Sequence, residues 1–386
     1  MNELIIDKSS WTKTKLGDLA EDISKRVDNP RLSKFDKFVG LEHILSGELK
    51  IKNWGKTENL GSSMKEFQAG DILFARRNAY LRRASLAQFD GVCSGDAFVL
   101  RENHKKIIPG FLAFLVNSNR LWDFANANAA GTMSKRVKWR DLAEFEFLLP
   151  PKEDQTKLAK LLWAADNVVS KDKELLEKCL ILKDALRKKY FYEDKNTTLI
   201  ELSKLGKITS GGTPDTNKKE YWENGNILWM SSGEVHKKKI NDTEKKITQM
   251  GLDNSSAKMI PKETCVIAIA GQGKTKGTVA ITEVELCTNQ SVAAIIPNKE
   301  IINPYYLFHN LDSRYLEFRY ITGKEDTRTG LNLDILKKFK IKIHNKSNME
   351  LITDKLTKID LNIDKINGKL QSSQVLLKSL INEVFV

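Results

Sequence analysis

One feature constrains this chain more than any other: it contains itself twice. Residues 70–100 read GDILFARRNAYLRRASLAQFDGVCSGDAFVL, and residues 264–296 read TCVIAIAGQGKTKGTVAITEVELCTNQSVAAII. An offset of 194 residues lays Cys93 on Cys287, Leu86 on Ala280 and the apolar run 97–100 on 291–294. The same offset carries Phe111 onto Tyr305, Leu142 onto Leu336, Phe145 onto Phe339 and Asp166 onto Asp360. Identity is low, but the pattern runs over about a hundred residues without a gap. Fixed-period self-similarity predicts one structural unit built twice in tandem.

Each unit divides into two parts. The first mixes short β-branched and aromatic runs with turn residues: KFVGLEHI, DILFA and EFEFLLPP in one copy, NILWMSS, CVIAIA and KFKIKI in the other. Such runs read as strands. Gly110–Ala127 and Pro304–Ile321 read as helices, each preceded by a proline-containing turn. The second part is a long helix. Residues 155–190 contain neither Gly nor Pro. Alternating steps of four and three give Leu158, Leu162, Ala165, Val169, Asp172, Leu176, Cys179, Lys183, Leu186 and Tyr190. The second copy gives Ile352, Leu356, Ile359, Ile363, Ile366, Leu370, Ser373, Leu377, Leu380 and Val384 in the same register. Both series are the a and d seam of a coiled coil. Each helix could pack on its own globular part, but so narrow a stripe favours a pair. The predicted fold class is therefore α+β: two tandem mixed α/β domains, each followed by a long helix, the helices pairing as an antiparallel coiled coil. The expected boundaries are 1–152, 153–195, 196–347 and 348–386.

Two equal heads joined by stiff rods suit a ligand with two short segments at a fixed gap, as DNA half-sites are. The formal charge of +13 points to a polyanion, nucleic acid or an anionic membrane surface. The start, MNELIIDKSSW, lacks the basic and apolar regions of a secretory signal. The apolar runs fall far short of the ~20 residues of a membrane span. The four cysteines have no metal-ligand spacing. These features predict a reduced cytoplasmic protein with no structural zinc and no membrane partner.

Two stretches carry a family resemblance. SGGTPDTNKKEYWENGNILWMSSGEV (Ser210–Val235) resembles the opening of a target-recognition domain of type I restriction-modification specificity subunits. LLPPKEDQTKLAKLL (Leu148–Leu162) resembles the passage from that domain into a helix. The order domain, helix, domain, helix also fits and covers nearly the whole chain. The first copy departs from the pattern: its counterpart, ISKRVDNPRLSKFDKFVGLEHI, lacks Gly-Gly-Thr-Pro. The resemblance implies a non-catalytic subunit that reads double-stranded DNA. Each domain would contact one half of a split, asymmetric site, and the helix pair would set the spacer. Two adenine methyltransferase (modification) subunits would dock on it and carry S-adenosylmethionine, so this chain itself needs no cofactor. A motor-nuclease restriction subunit can join such a complex.

The motifs must be weighed against that reading. AIAGQGKT (residues 268–275) matches a loose phosphate-binding loop, which would suggest an ATPase. Such a loop needs a helix immediately after Gly-Lys-Thr. Here KGTVAITEV follows, which reads as a strand, so a hairpin is expected. The first copy has ARRNAYLRR at the same place, with no Gly-Lys-Thr. What the two loops share is cationic and amide side chains, and these are the candidate DNA contacts. In the first loop they are Arg76, Arg77, Asn78, Tyr80, Arg82 and Arg83; in the second, Gln272, Lys274 and Lys276. Arg reads guanine and Asn or Gln reads adenine by paired hydrogen bonds, while Lys more often neutralises phosphate. Arg77, Asn78 and Gln272 are thus the candidate base readers. Arg82, Arg83, Lys274 and Lys276 are candidate phosphate partners. A solvated basic hairpin is the ordinary alternative.

GTMSKRVKW (Gly131–Trp139) aligns with EDTRTGLNL (Glu325–Leu333), each between a helix and the last strand; Lys135, Arg136 and Arg328 are the candidates there. Thr213 and the amides of Gly211 and Gly212 could approach a phosphate; alternatively the turn sets Tyr221, Trp222 and Trp229 into the core. Ser231, Ser232, Asn289 and Gln290 are further candidates. NPYY (Asn303–Tyr306) resembles the base-holding stretch of adenine methyltransferases, but a helix cap explains it better. A nuclease metal site could only be forced from Asp215 with Glu244, Lys245 and Lys246. A coiled-coil scaffold with protein-binding heads is the remaining alternative.

Overall fold

The computed structural model describes residues 6–271, 273–321 and 331–385. The chain divides into two units, Met1–Glu174 with Asn367–Val386, and Leu175–Ile366. Each takes part of one long helix and part of the other.

In the first unit an antiparallel sheet runs Ala20–Asp22, Ala97–Glu102, Ile72–Ala75, Ala84–Leu86. A second sheet runs Arg26–Val27, Met64–Phe67, Gly91–Cys93, Lys37–Val39, Gly55–Lys56. Thr12–Lys15 pairs with Glu146–Leu149, so the two ends of the domain meet. The second unit repeats this plan. Gly206–Ser210, Val292–Pro297, Cys265–Ala268 and Val279–Thr282 form one sheet, with Lys239–Ile240 added at its edge. Thr198–Glu201 pairs with Lys340–Ile343. The repeat offset is not uniform. The opening strands Thr12–Lys15 and Thr198–Glu201 are 186 residues apart, whereas the closing strands Glu146–Leu149 and Lys340–Ile343 keep 194. The second unit therefore holds extra residues ahead of its central hairpin.

The strands form where β-branched and aromatic residues can fill both faces of a covered sheet. Ile72, Leu73, Phe74 and Ala75 are all buried, as are Cys265, Val266, Ile267 and Ala268. Both stretches expected to be helical are so, each as a pair of helices. Gly110–Ala127 splits into Leu112–Leu115 and Asn119–Ala127, because the Ser118 hydroxyl accepts the Leu121 amide and starts a new helix. Pro304–Ile321 splits into Pro304–Asp312 and Tyr315–Ile321. Short helices Trp139–Leu142 and Leu333–Lys338 also intervene before the closing strands.

The long helices span Lys152–Lys188 and Lys346–Val384. Every seam residue named from the sequence is buried or half-buried. In the first unit the beginning of the central helix lies beside the end of the C-terminal helix, with Asp172 accepting from Lys369 at 2.9 Å. In the second unit the end of the central helix lies beside the beginning of the other, and Lys183 pairs with Asp360 at 2.5 Å. The pairing is antiparallel, and its polar seam positions meet charged partners across it. Each helix end also enters a domain core. Phe385 joins Phe111, Trp122 and Leu162 in the first unit. Phe191, 194 residues earlier, joins Tyr306, Phe318 and Ile352 in the second. Full burial of such a ring contributes about 1.5–3 kcal/mol. Among the described residues no helix is long and apolar enough to cross a membrane.

Candidate nucleic-acid interface

In the first unit the hairpin loop 76–83 joins two buried strands, so its backbone is anchored while its side chains reach solvent. Asn78 and Arg82 adopt left-handed conformations, with φ of 56° and 48°, and bracket the tight turn Ala79–Leu81. That turn buries Ala79 and pushes Tyr80 outward, 68% exposed. The loop does not stand alone. The Arg76 amide donates to the Asp96 carbonyl at 3.0 Å, the Asn78 amide to the Lys135 carbonyl at 2.9 Å, and the Val137 amide to the Arg76 carbonyl at 2.9 Å. Three separate segments, 76–83, 94–96 and 134–137, thus become one surface.

Its centre is a carboxylate ringed by guanidinium groups. Arg136 donates to Asp96 through both Nε and Nη2, at 2.9 and 3.2 Å. Arg76 and Arg77 stand 3.8 and 3.7 Å from the same carboxylate. Arg77 also donates to the Ser134 hydroxyl at 3.1 Å. The hydrogen bonds from Arg136 hold the Asp96 carboxyl below the usual carboxylate range, against the opposing pull of partial burial. Arg82 and Arg83 turn elsewhere. Arg82 bonds Asn119 at 2.8 Å and Asp123 at 2.7 Å, and Arg83 donates to the Leu41 carbonyl at 2.8 Å. Lys135 is exposed. The surface keeps a clear excess of positive charge and of donors.

The second unit builds its loop differently. Cys265–Ala268 and Val279–Thr282 pair antiparallel, so Gly-Lys-Thr leads into a strand and not into a helix. The phosphate-loop geometry is absent at this place. Gly271, Gly273 and Gly277 have φ of 138°, 60° and 83°, which only glycine adopts freely. The helix Tyr315–Ile321 props the loop: the Tyr315 hydroxyl donates to the Lys274 carbonyl at 3.1 Å, and Arg319 donates to the Gly273 carbonyl. The Lys274 side chain is exposed and Lys276 is half-buried. Gln272 and Arg328 lie outside the described residues.

Beside this loop Thr213 donates to Gln290 at 2.5 Å. Asn289 folds back, its side-chain carbonyl accepting the Ser291 amide at 3.1 Å. Ser231 caps the turn Ser232–Lys237, exchanging hydrogen bonds with Glu234, so its polar atoms have a local structural task. The two glycines of the Ser210 stretch are closely packed. A Cβ on Gly211 would lie 1.8 Å from the Thr288 carbonyl oxygen, and one on Gly212 would lie 2.0 Å from Ser256 Oγ. The Gly212 amide already donates to Thr288, and its carbonyl accepts from Trp229 Nε1 at 2.9 Å. Tyr221 and Trp229 are buried, and Trp222 packs edge-on against Trp229 at 5.0 Å. At NPYY the Asn303 side chain accepts the Tyr305 and Tyr306 amides, as a helix cap should.

Asp96 is the residue that sequence reasoning passed over. An aspartate in a turn looks like any solvated carboxylate until the fold brings Arg136 to it. The one available signal was the repeat, because Asp96 falls on Gln290.

Comparison with known proteins bears on both units. The model of the type I restriction modification DNA specificity domain matches residues 8–178 and again 194–372. The EcoR124I/EcoR124II specificity subunit of Escherichia coli is 30% identical over 161 residues, 41% of this chain and 40% of that protein. This alignment thus spans less than half of that relative. A type I restriction enzyme MjaX specificity subunit (putative) of Methanocaldococcus jannaschii is 22% identical, covering 82% of each chain. Among solved structures, the S subunit of a type I restriction-modification system from M. genitalium has a TM-score of 0.68 at 18% identity, over 99% of this chain and 98% of that one. This last likeness establishes the fold.

Proposed function

The chain belongs to the type I restriction-modification DNA specificity family, and from that premise we propose that it is the non-catalytic subunit that reads a split, asymmetric DNA site. The recognition domains are residues 1–152 and 196–347, one for each half-site. The helices 153–195 and 348–386 set the gap between the half-sites. One observation supports this above others: the same hairpin end carries cations in both copies, while its sequence differs completely between them. Divergent loops on a repeated scaffold are what two different half-sites require.

In the first domain Arg77 and Asn78 read bases, with Tyr80, Lys135 and Arg136 beside them. Arg76, Arg82 and Arg83 shape that loop and add positive field. In the second domain Gln272 reads a base, Lys274, Lys276 and Arg328 meet phosphate, and Thr213, Ser231, Ser232, Asn289 and Gln290 border the contact. Two modification subunits bearing S-adenosylmethionine dock on the helix pair and methylate adenine, and a restriction subunit joins in cleavage. The hairpin at residues 268–275 disfavours an ATPase.

The test is reconstitution. Purified chain, modification subunit and labelled S-adenosylmethionine should give site-specific methylation, and mapping the product returns both half-sites and the spacer. Arg77→Ala and Gln272→Ala should each relax recognition of a different half, by about 1–3 kcal/mol if a paired base contact is lost. Damage to the same half by both substitutions would overturn the two-head assignment.

A further inference from the structure

The Asp96 cluster holds more than the proposed DNA contact requires. A surface built only to attract phosphate would have no use for a carboxylate at its centre. Yet Asp96 sits among Arg76, Arg77 and Arg136, all within 3.8 Å, and its side chain remains 22% exposed. The three guanidinium groups are not engaged alike. Arg136 forms a forked pair with Asp96. Arg76 and Arg77 face the carboxylate from beyond hydrogen-bond length. Their Nε donors are covered and have no hydrogen-bond acceptor. Asp96 therefore holds these two arginines by charge alone, Arg77 being fixed also by its bond to the Ser134 hydroxyl, and each keeps an Nε donor without an acceptor. The backbone supports the arrangement, since the Asp96 carbonyl also receives the Arg76 amide. By backbone pairing, one residue past the 194-residue offset, the second unit has the neutral Ser291 at the equivalent position, where its carbonyl accepts the Ile269 amide as that of Asp96 accepts the Arg76 amide. The counter-charge is thus particular to the first head.

We propose that Asp96 is a positioning residue that sets the sequence discrimination of the first head. This rests on the reading that loop 76–83 contacts DNA. Two effects follow from one carboxylate. Its charge opposes the phosphate backbone, which weakens binding to any duplex, right or wrong. Its hold on the guanidinium groups fixes their direction before DNA arrives, which lowers the ordering cost only where a base edge meets them correctly. The first effect is common to all sequences and the second belongs to the target alone. Discrimination is their difference.

The experiment uses the full chain and two duplexes. One carries the site recovered by methylation mapping; the other has its first half-site scrambled. Affinities are measured across a salt series for the wild type, Asp96→Asn and Asp96→Glu. Asp96→Asn should bind the scrambled duplex about fivefold tighter, with a steeper salt dependence by up to about one unit of slope. Its preference for the site should fall about tenfold. Asp96→Glu keeps the charge and should return scrambled-duplex binding to near the wild-type value. Asp96→Asn with both affinities within twofold of wild type would overturn the proposal. So would an equal loss on both duplexes that Asp96→Glu does not rescue, because that pattern marks a purely structural role. A wild-type chain that never distinguishes the duplexes would instead refute the DNA-reading function itself.

Discussion

Removing one ring at the end of the chain should loosen a domain that begins at its other end. Phe385 is buried and lies edge-on to Phe111 at 5.6 Å and to Phe147 at 6.1 Å. It belongs to the core that also holds Phe74, Phe98 and Trp122. Phe385→Ala deletes a whole buried ring. Truncations of this kind cost about 3–5 kcal/mol, and a site at a helix end can partly collapse, so about 3 kcal/mol is the working value. Every ~1.4 kcal/mol is a factor of ten in an equilibrium constant, so opening of the first unit should become about a hundredfold more favourable. Amide hydrogen exchange reads this locally. Strands Ile72–Ala75 and Ala97–Glu102 should lose about a hundredfold of protection. Strands Cys265–Ala268 and Val292–Pro297 should keep theirs. Phe191→Ala should reverse the pattern, because Phe191 faces Tyr306 in the second core at 5.5 Å. Unchanged protection in the first unit after Phe385→Ala would refute the assignment of residues 367–385 to that core, and with it the account of how the repeat closes.

Two more perturbations test the second unit. His309 is buried beside Arg187, Lys183, Asp312 and Asp360; burial first, then the nearby cations, pushes its pKa down to about 3. The unfolded chain takes up the proton near pH 6.5 and the folded chain only near 3, so stability present at neutral pH is lost as pH falls through that window, by at most about 1.4 kcal/mol per unit. Urea titrations between pH 7 and 4.5 should show that slope, and His309→Leu should flatten it, since the first unit fills the equivalent place with an apolar side chain, Phe114, packed on Trp163 where His309 meets Thr357. Gly211→Ala would drive its Cβ to 1.8 Å from the Thr288 carbonyl oxygen, so the turn and strand must separate. A loss of about 1–3 kcal/mol is expected for such overpacking, readable in the thermal midpoint and in the Trp229 emission.

Much of this was visible in one dimension. Duplication, the hairpin under Gly-Lys-Thr and the seam of each long helix all follow from local pattern, because the period of apolar residues reports which face is covered. The cap at Asn303 and the core role of Trp229 were legible for the same reason. The break at Ser118 is local as well, an N-cap whose hydroxyl accepts the Leu121 amide three residues on. Other features needed long-range contact. The close packing of the two glycines of the Ser210 stretch against Thr288 and Ser256 is one of them.

The amino-acid sequence by itself determined that there are two heads and two rods, and that loops 76–83 and 269–278 stand in equivalent places. Repetition and periodicity are properties of order along the chain, so no coordinates were required. Only the tertiary structure decided which arginines are available and which are held. Arg82 and Arg83 are cations in the same loop as Arg77, yet one is tied to Asp123 and the other to the Leu41 carbonyl. Asp96 gained its importance because the chain returns, 40 residues later, to set Arg136 against it. Charge is written residue by residue, but which charges meet depends on where the backbone brings them.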